Sequence, residues 1–166
     1  MLKKNKIKQI KLIAFDFDGV FTNNKVYVDS NGNEMVECSR SEWTTAKYIQ
    51  DKIPMCVIST EVNIVTQKRC EKLKLKCFHG ITNKLQKLQE YANELNIKPE
   101  NIAFVGNDVN DLACLQWVGI PIIVQDAHKS IKNYPFMVTK CCGGKGAVRE
   151  IIDALIEVNN VTTNFK

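Results

Sequence analysis

The sequence has little of what builds a metal-thiolate or disulfide scaffold. Its seven cysteines are an odd number with no Cys-x-x-Cys pair, and it has only two histidines, His79 and His128. No zinc-binding spacing can be assembled from these residues. Cys56 and Cys114 lie in apolar patterns typical of small core residues. We therefore expect free thiols in a reducing compartment, which predicts a cytoplasmic location.

Long apolar runs are also missing. The run that follows the basic N-terminus is too short for a signal peptide, and no stretch reaches the roughly 20 residues of a membrane span. The net charge of +5 is modest, and lysine is scattered apart from a cluster at Lys3, Lys4, Lys6 and Lys8. This distribution fits an anionic substrate weakly. It predicts neither nucleic-acid binding nor membrane binding.

The length and composition predict one globular domain over residues 1–166. A chain of 166 residues with 45% hydrophobic and 25% charged residues is ordinary for a globular protein. At this size about 70% of the unfolded surface can be buried without disulfide or metal support. We expect a loose C-terminal tail from about residue 159.

Strand and helix patterns alternate along the chain. Apolar runs typical of buried strands lie at 10–16, 55–58, 77–78, 102–105, 120–124 and 137–139. Helical spacing lies between them, at 42–51, 61–75, 83–95 and 147–156, with a short helix after residue 111. This alternation predicts an α/β fold with a doubly wound, mostly parallel sheet. Two alternating runs around an Asn-Gly turn add a β-hairpin at about 22–38, directly behind the first strand.

Two carboxylates stand where the first strand ends. Asp16 and Asp18 follow an apolar run, and Gly19 permits a turn there. Ligands bind at this edge of open α/β sheets, and paired carboxylates with only oxygen ligands favour magnesium. The alternative is an ordinary acidic turn after a strand, since Asp and Gly are common turn residues.

Further polar residues are expected at the same edge, because parallel strands bring their carboxyl ends together. They are Ser59, Lys84, Asn107, Asp108 and Asp111. A carboxylate nucleophile, a second carboxylate, a hydroxyl and a lysine are what phosphoryl transfer through an aspartyl-phosphate needs. Each residue has a structural alternative: Ser59 could cap the next helix, Lys84 could be solvated, and the loop could be a plain turn.

Four ordered motifs resemble those of the haloacid dehalogenase superfamily: Asp16-Phe17-Asp18-Gly19-Val20, Ser59, Lys84 and Gly106-Asn107-Asp108-Val109-Asn110-Asp111. The resemblance covers about residues 10–156. The hairpin and the segment 143–150 are similar to those of the small sugar-acid phosphatases that lack a cap domain. That group includes 3-deoxy-D-manno-octulosonate 8-phosphate phosphatases, nine-carbon ulosonic acid 9-phosphate phosphatases and the phosphatase-like domain of acylneuraminate cytidylyltransferases.

The resemblance implies a role for each motif residue. Asp16 would be the phosphorylated nucleophile, and Asp18 would protonate the leaving sugar oxygen and then activate water. Ser59 and Lys84 would hold the phosphoryl oxygens. Magnesium would bind the Asp16 carboxylate, the Asp18 carbonyl and Asn107. Around these ligands, Asp108 and Asp111 would add negative charge.

The resemblance also implies contacts beyond the phosphate. Glu61 and Arg69 are similar to a substrate-binding pair of the nine-carbon and cytidylyltransferase-linked branch, which we favour over the octulosonate branch. The glycines at 143–146 either let Arg149 approach an anionic ligand or simply lead into a helix. Members of this group are typically tetramers, in which the hairpin of one subunit helps to cover the site of a neighbour.

The sequence departs from the family pattern at three places. Asn107 stands where the family usually has aspartate, Thr60-Glu61 follows Ser59 where many members have glycine, and residues 39–43 replace a stretch that usually contains Asp-Gly. The prediction is a magnesium-dependent phosphatase acting on a phosphorylated sugar acid. The alternative is a weakly active or inactive oligomerisation module associated with acylneuraminate cytidylyltransferase function.

Overall fold

The fold is built on a parallel sheet that is buried on both faces. The computed structural model describes residues 1–163. Its strands, in chain order, are β1 (Leu12–Phe15), β2 (Thr22–Val28), β3 (Glu34–Cys38), β4 (Met55–Ile58), β5 (Lys76–Phe78), β6 (Ile102–Gly106), β7 (Ile120–Ile123) and β8 (Met137–Val138). Six of them form one sheet in the order β5-β4-β1-β6-β7-β8, and every pair is parallel. The predicted doubly wound α/β fold is confirmed.

The strand order places the site. Strand β1 lies between β4 and β6, and its four side chains are fully buried. The chain winds outward from β1 to β4 and β5 on one side and through β6, β7 and β8 on the other. The reversal of strand order therefore falls between β1 and β6, where open α/β sheets form their ligand crevice.

Within residues 1–163, six α-helices flank the sheet. They are α1 (Lys4–Ile7), α2 (Ile64–Leu73), α3 (Lys84–Glu94), α4 (Leu112–Trp117), α5 (Lys129–Lys132) and α6 (Ala147–Val158). Helices α2 and α3 begin as asparagine caps: Asn63 Oδ1 accepts from Val65 N at 3.0 Å, and Asn83 Oδ1 from Gln86 N at 3.0 Å. The apolar side of α6 is buried from Ala147 to Ile156, as its helical spacing predicts.

The helix predicted over 42–51 is wrong. The structure has two short 3-10 turns there, Ser41–Trp43 and Ala46–Tyr48. Trp43, Ala46 and Ile49, which would lie on one face of such a helix, are all buried. Their spacing of three is the period of a 3-10 helix, so the pattern located the buried face but did not select the helix type.

The hairpin lies over the expected range. Strands β2 and β3 are antiparallel, with Thr22 opposite Cys38 at the base and Val28 opposite Glu34 near the tip. Its outer part exposes large apolar side chains, including Val28 at 61% and Met35 at 63%. These side chains have no cover within residues 1–163.

The C-terminal segment is described up to Thr163. Val161 N donates to Ile156 O at 3.1 Å, a bond that closes the C-terminal end of α6, and the Val161 side chain packs against the core. A loose tail was predicted from about residue 159. The last part of that range, residues 164–166, lies outside the described residues. Across residues 1–163, none of the helices combines the length and the apolar character that a bilayer crossing requires.

Candidate active site

Asp16 occupies the carboxyl end of β1 and is only 4% exposed. Its backbone N donates to Val105 O at 2.9 Å, which fixes it beside β6. Its Oδ1 accepts from Phe17 N at 2.8 Å and lies 2.8 Å from Lys84 Nζ. A buried carboxylate held in this way at a strand end is oriented for reaction with a ligand in the crevice.

Lys84 bridges two buried carboxylates. Its Nζ lies 2.8 Å from Asp16 Oδ1 and 2.8 Å from Asp111 Oδ1. Burial, followed by the charge of Asp111, raises the pKa of Asp16 to about 7, against the opposing effect of Lys84. Burial lowers the pKa of Lys84, but the two carboxylates outweigh it and the net shift is upward. One lysine thus balances two carboxylates, which leaves a net negative centre that favours a cation.

The loop after β6 is shaped by Asp111. Its Oδ2 accepts from Asn107 N at 2.9 Å and from Asp108 N at 3.3 Å, and its Oδ1 accepts from Lys84. Asp108 completes a capping box with Asp111. The carboxylate of Asp111 therefore acts as the centre of the loop and turns Asn107 toward Asp16.

The amide of Asn107 lies between Asp16 and Asp18. Oriented by its hydrogen bonds, its nitrogen is 3.1 Å from Asp18 O and 3.3 Å from Asp16 Oδ2. Gly19, with φ +76°, lies directly behind the amide, because a Cβ there would come within 2.0 Å of an amide atom of Asn107. Only glycine at position 19 leaves room for this side chain.

The Asp16 carboxylate, the Asp18 carbonyl and the Asn107 amide fit a magnesium ion. A half-turn of the Asn107 amide would put its oxygen where its nitrogen lies, 3.1 Å from Asp18 O and 3.3 Å from Asp16 Oδ2. Neighbouring oxygens around octahedral magnesium are about 3 Å apart, since each lies about 2.1 Å from the metal. Within residues 1–163 there is no group of three His, Cys, Asp or Glu side chains that could hold a metal. The candidate set therefore depends on a backbone carbonyl and an amide as well as Asp16.

Asp18 is held from the side of the hairpin. Its Oδ1 accepts from the Thr22 hydroxyl at 3.2 Å. Burial raises the pKa of Asp18; the hydrogen bond from Thr22 opposes this shift, and the charge of Glu61 adds to it. A carboxyl group with a raised pKa keeps its proton to a higher pH than usual, which suits it to give and take protons.

Ser59 lies at the end of β4 and is 2% exposed. Its Oγ accepts from Glu61 N at 3.1 Å, so the hydroxyl does organise the turn that leads to α2. The same residue lines the cleft with Asp16, Asp18 and Asn107. The sequence posed helix capping and ligand binding as alternatives for Ser59; the cap of α2 is Asn63, and Ser59 lies in the cleft where a ligand can bind.

Two adjoining clefts open at this edge. The first, about 310 Å³, contains both aspartates, Ser59 and Asn107. The second, about 240 Å³, lies between the hairpin and α2 and includes Lys25 and Glu34. The two clefts share Asp18, Asn24 and Glu61. Sequence reasoning missed Asn24, Lys25 and Glu34, because only the fold of the hairpin brings them to α2.

The two predicted arginines are elsewhere. Arg69 Nη2 donates to Ser39 O at 3.1 Å, and Arg149 Nε donates to Asp153 Oδ2 at 2.7 Å. Neither lines the clefts of its own chain. The predicted substrate contacts of both residues are therefore not formed within one chain, since each guanidinium is already held by a nearby acceptor.

The glycine-rich loop at 143–146 packs against the turn at Asp18–Phe21 and does not bring Arg149 to the clefts. A Cβ on Gly143 would meet Gly19 O at 1.8 Å, and Gly144 N donates to Val20 O at 2.9 Å. Asp126 Oδ1 accepts from Gly143 N at 2.9 Å. The buried Glu42 carboxylate accepts from Gly146 N and, at 3.0 Å, from Arg149 N, so it caps α6. The glycines allow close backbone contact behind Asp18.

The fold and site define a member of the haloacid dehalogenase-like hydrolases. The sequence profile of that family matches residues 2–152, so the chain belongs to it. This confirms the prediction of a hydrolase of this superfamily.

The chain is similar to sugar-acid phosphatases of this family. The chain is 31% identical over 153 residues to the 3-deoxy-D-manno-octulosonate 8-phosphate phosphatase KdsC of Escherichia coli (strain K12), covering 91% of this chain and 81% of that protein. A candidate hydrolase of the family from Streptomyces avermitilis MA-4680 is 37% identical, with a TM-score of 0.86 over 91% of this chain and 93% of that one. A Moraxella catarrhalis octulosonate phosphatase, solved with magnesium, phosphate and the sugar acid, is 25% identical, with a TM-score of 0.88 over 95% and 91%.

Proposed function

We propose that the protein is a magnesium-dependent phosphatase that hydrolyses a phosphorylated sugar acid through a phosphorylated Asp16. The observation that carries this proposal is the buried Asp16 carboxylate, 2.8 Å from Lys84 Nζ and in one cleft with Asp18. The relatives that are octulosonate 8-phosphate phosphatases support the reaction class.

The reaction follows from the positions of the two aspartates. The Asp16 carboxylate attacks phosphorus and displaces the sugar oxygen, so an acyl phosphate forms as the ester bond breaks. Asp18 gives its proton to the departing oxygen. It then takes a proton from a water molecule that attacks the phosphorus, which releases phosphate and restores the Asp16 carboxylate.

Charge around the phosphoryl group comes from several sources. Lys84 Nζ and the Ser59 hydroxyl are the proposed contacts of the phosphoryl oxygens. Magnesium, held by the Asp16 carboxylate, the Asp18 carbonyl and Asn107, would supply positive charge against the anionic substrate. Asp108 and Asp111 hold the loop after β6 that carries Asn107, and Asp111 also fixes the position of Lys84.

The cleft between the hairpin and α2 is the proposed site for the sugar acid that leaves. The space between the hairpin and α2 offers the acidic side chains of Glu34 and Glu61 with one lysine, Lys25. Carboxylates can accept hydrogen bonds from sugar hydroxyls, while a lysine can pair with the acid group of the sugar. The Asn63 amide, which donates to Glu34 Oε2 at 3.0 Å, ties the hairpin to α2 and defines the width of the cleft.

A panel of phosphate esters tests this function. With magnesium, we expect phosphate release from octulosonate 8-phosphate or a nine-carbon ulosonic acid 9-phosphate to exceed that from glucose 6-phosphate by more than about tenfold. Glucose 6-phosphate is the matched control because it lacks the acid group. A chelator should abolish release. Equal turnover of all three esters would contradict the acid specificity, and no turnover of any ester would contradict the phosphatase proposal.

We propose further that the protein is a homotetramer whose hairpins cover neighbouring sites. Exposed apolar side chains on β2 and β3 support this arrangement, since Val28 and Met35 are 61% and 63% exposed in one chain.

Light scattering on a paired substitution tests the assembly. The wild-type protein should be a tetramer at micromolar concentration, and Val28→Lys with Met35→Lys should lower the measured mass by at least half. Tyr134→Lys, at a side chain that is 36% exposed away from the hairpin, is the control and should leave the mass unchanged. A wild-type monomer would refute the assembly and the shared-site arrangement.

A further inference from the structure

The hydroxyl of Thr22 sits between the catalytic turn and the hairpin. Thr22 is fully buried at the first position of β2. Its Oγ1 accepts from Gly19 N at 3.1 Å and from Asn24 N at 3.2 Å, and it lies 3.2 Å from Asp18 Oδ1. One small side chain thus touches the turn, the hairpin and the second carboxylate.

The hydrogen-bonding capacity of a hydroxyl fixes the direction of its proton. A threonine hydroxyl has one hydrogen to donate and two lone pairs to accept with. The two backbone N–H groups occupy both lone pairs. The remaining contact is a carboxylate oxygen, which accepts, so the hydroxyl hydrogen must point at Asp18 Oδ1.

The backbone of Thr22 is also fixed in position. A Cβ on Gly144 would come within 2.7 Å of Thr22 C, so the glycine loop lies directly against it. Thr22 also faces Cys38 across the base of the hairpin. The hydroxyl therefore cannot follow Asp18 if that carboxylate rotates, and it holds the carboxylate in one orientation.

We propose that Thr22 is a positioning residue for Asp18. By occupying Oδ1, the hydroxyl leaves Oδ2 as the oxygen that exchanges protons with the leaving group and with water. This role rests on the proposed phosphatase function, and it assigns to the start of the hairpin a part in proton transfer that is separate from covering the site.

Two phosphate esters with different leaving groups distinguish a role of Thr22 in positioning Asp18 from a role in supporting the fold of the site. Octulosonate 8-phosphate releases an alkoxide and needs a proton from Asp18, whereas p-nitrophenyl phosphate releases a stable phenolate and needs little help. Thr22→Val should lower kcat/KM for the first ester at least about tenfold, a part of the roughly 10²–10⁴-fold due to general acid catalysis, and for the second less than about threefold. Thr22→Ser keeps the hydroxyl and should restore both values.

Thr45→Val is the matched control. Thr45 is also buried, and its hydroxyl donates to a carboxylate, Asp153 Oδ1, at 2.7 Å, but it lies outside both clefts. This variant should leave both kcat/KM values unchanged. Thermal melts of each variant identify any loss of folding, and Thr22→Ala, read on the same two esters, replaces Thr22→Val if that variant does not fold.

Three results would overturn the inference. An equal loss of kcat/KM on both esters in Thr22→Val would mean that Thr22 only supports the fold of the site. No loss on either ester would mean that Asp18 does not need the hydroxyl. If the wild-type protein hydrolyses neither of these esters nor a nine-carbon ulosonic acid 9-phosphate, the proposed function fails first, and the role of Thr22 fails with it.

Discussion

Replacing Asp16 with asparagine is expected to reduce phosphate release by more than about 10³-fold, because the amide cannot form the covalent intermediate. The substitution is almost isosteric, so the cleft should keep its shape. A phosphate-release assay at saturating magnesium measures the effect. Asn93→Asp, on an exposed part of α3 outside both clefts, is a control that should retain most of the activity. Wild-type turnover in Asp16→Asn would show that Asp16 is not the nucleophile.

The same substitution should stabilise the metal-free protein at alkaline pH. Burial and Asp111 raise the pKa of Asp16 from 3.8 to about 7, so the folded state holds this proton more tightly than the unfolded state does. The stability that the proton provides is complete below pH 3.8 and is lost as the pH rises through about 7. Thermal melts in a chelator at pH 8 should therefore show Asp16→Asn above wild type. A lower melting temperature would show that Lys84 needs the Asp16 charge.

Asn107→Asp should tighten magnesium binding by about 10–100-fold. A carboxylate adds a formal negative charge to the ligand set, and hard cations prefer charged oxygens. The variant also loses the amide that donates to Asp18 O and Asp16 Oδ2 in the absence of metal. It places a new carboxylate beside Asp16, so the metal-free protein should melt lower than wild type.

Calorimetry of magnesium binding, thermal melts with and without magnesium, and phosphate release measure the effects of Asn107→Asp. Asn93→Asp adds the same charge at an exposed position outside both clefts and should change magnesium affinity by less than about threefold. Unchanged affinity in Asn107→Asp would mean that Asn107 is not a ligand, and Asp108 or Asp111 would take its place. Tighter metal binding without turnover of any sugar phosphate would favour an oligomerisation module.

The sequence predicted the parts of the fold that depend on local pattern. Strands β1, β4, β6 and β7 are continuous apolar runs, and such runs identify buried parallel strands. The four-residue helix α5 was missed because one turn has no periodicity to detect. The 3-10 turns at 41–48 were taken for a helix because a spacing of three fits both structures.

The site was predictable as far as strand ends determine it. Asp16, Asp18, Ser59 and Asn107 meet because parallel strands share an edge, and no tertiary contact had to be known. The pairing of Lys84 with Asp111 depends on how α3 and the loop after β6 face each other across the sheet. The position of Lys84 between Asp16 and Asp111, and the balance of their charges, cannot be predicted from the spacing of residues in the sequence.

Residues that act through tertiary contacts could not be predicted. Glu42 lies in the segment 42–51 that was predicted only as a helix, yet its carboxylate caps α6 in a distant part of the chain. Arg149 was expected near the ligand because glycines precede it, but a carboxylate one helical turn away holds its guanidinium. The cytoplasmic location rests on the cysteine pattern and stays a prediction.

The contact between Gly143 and Gly19 has a consequence for the order of events during synthesis. The aspartates leave the ribosome before β4 and β6 do, so strand β1 must wait for these later strands before it has neighbours on both sides. The turn that follows Asp18 is packed against the glycine-rich loop only after residues 143 and 144 have been synthesised. Such long-range closure slows folding. A nascent or prematurely terminated chain therefore carries both carboxylates without the geometry that joins them.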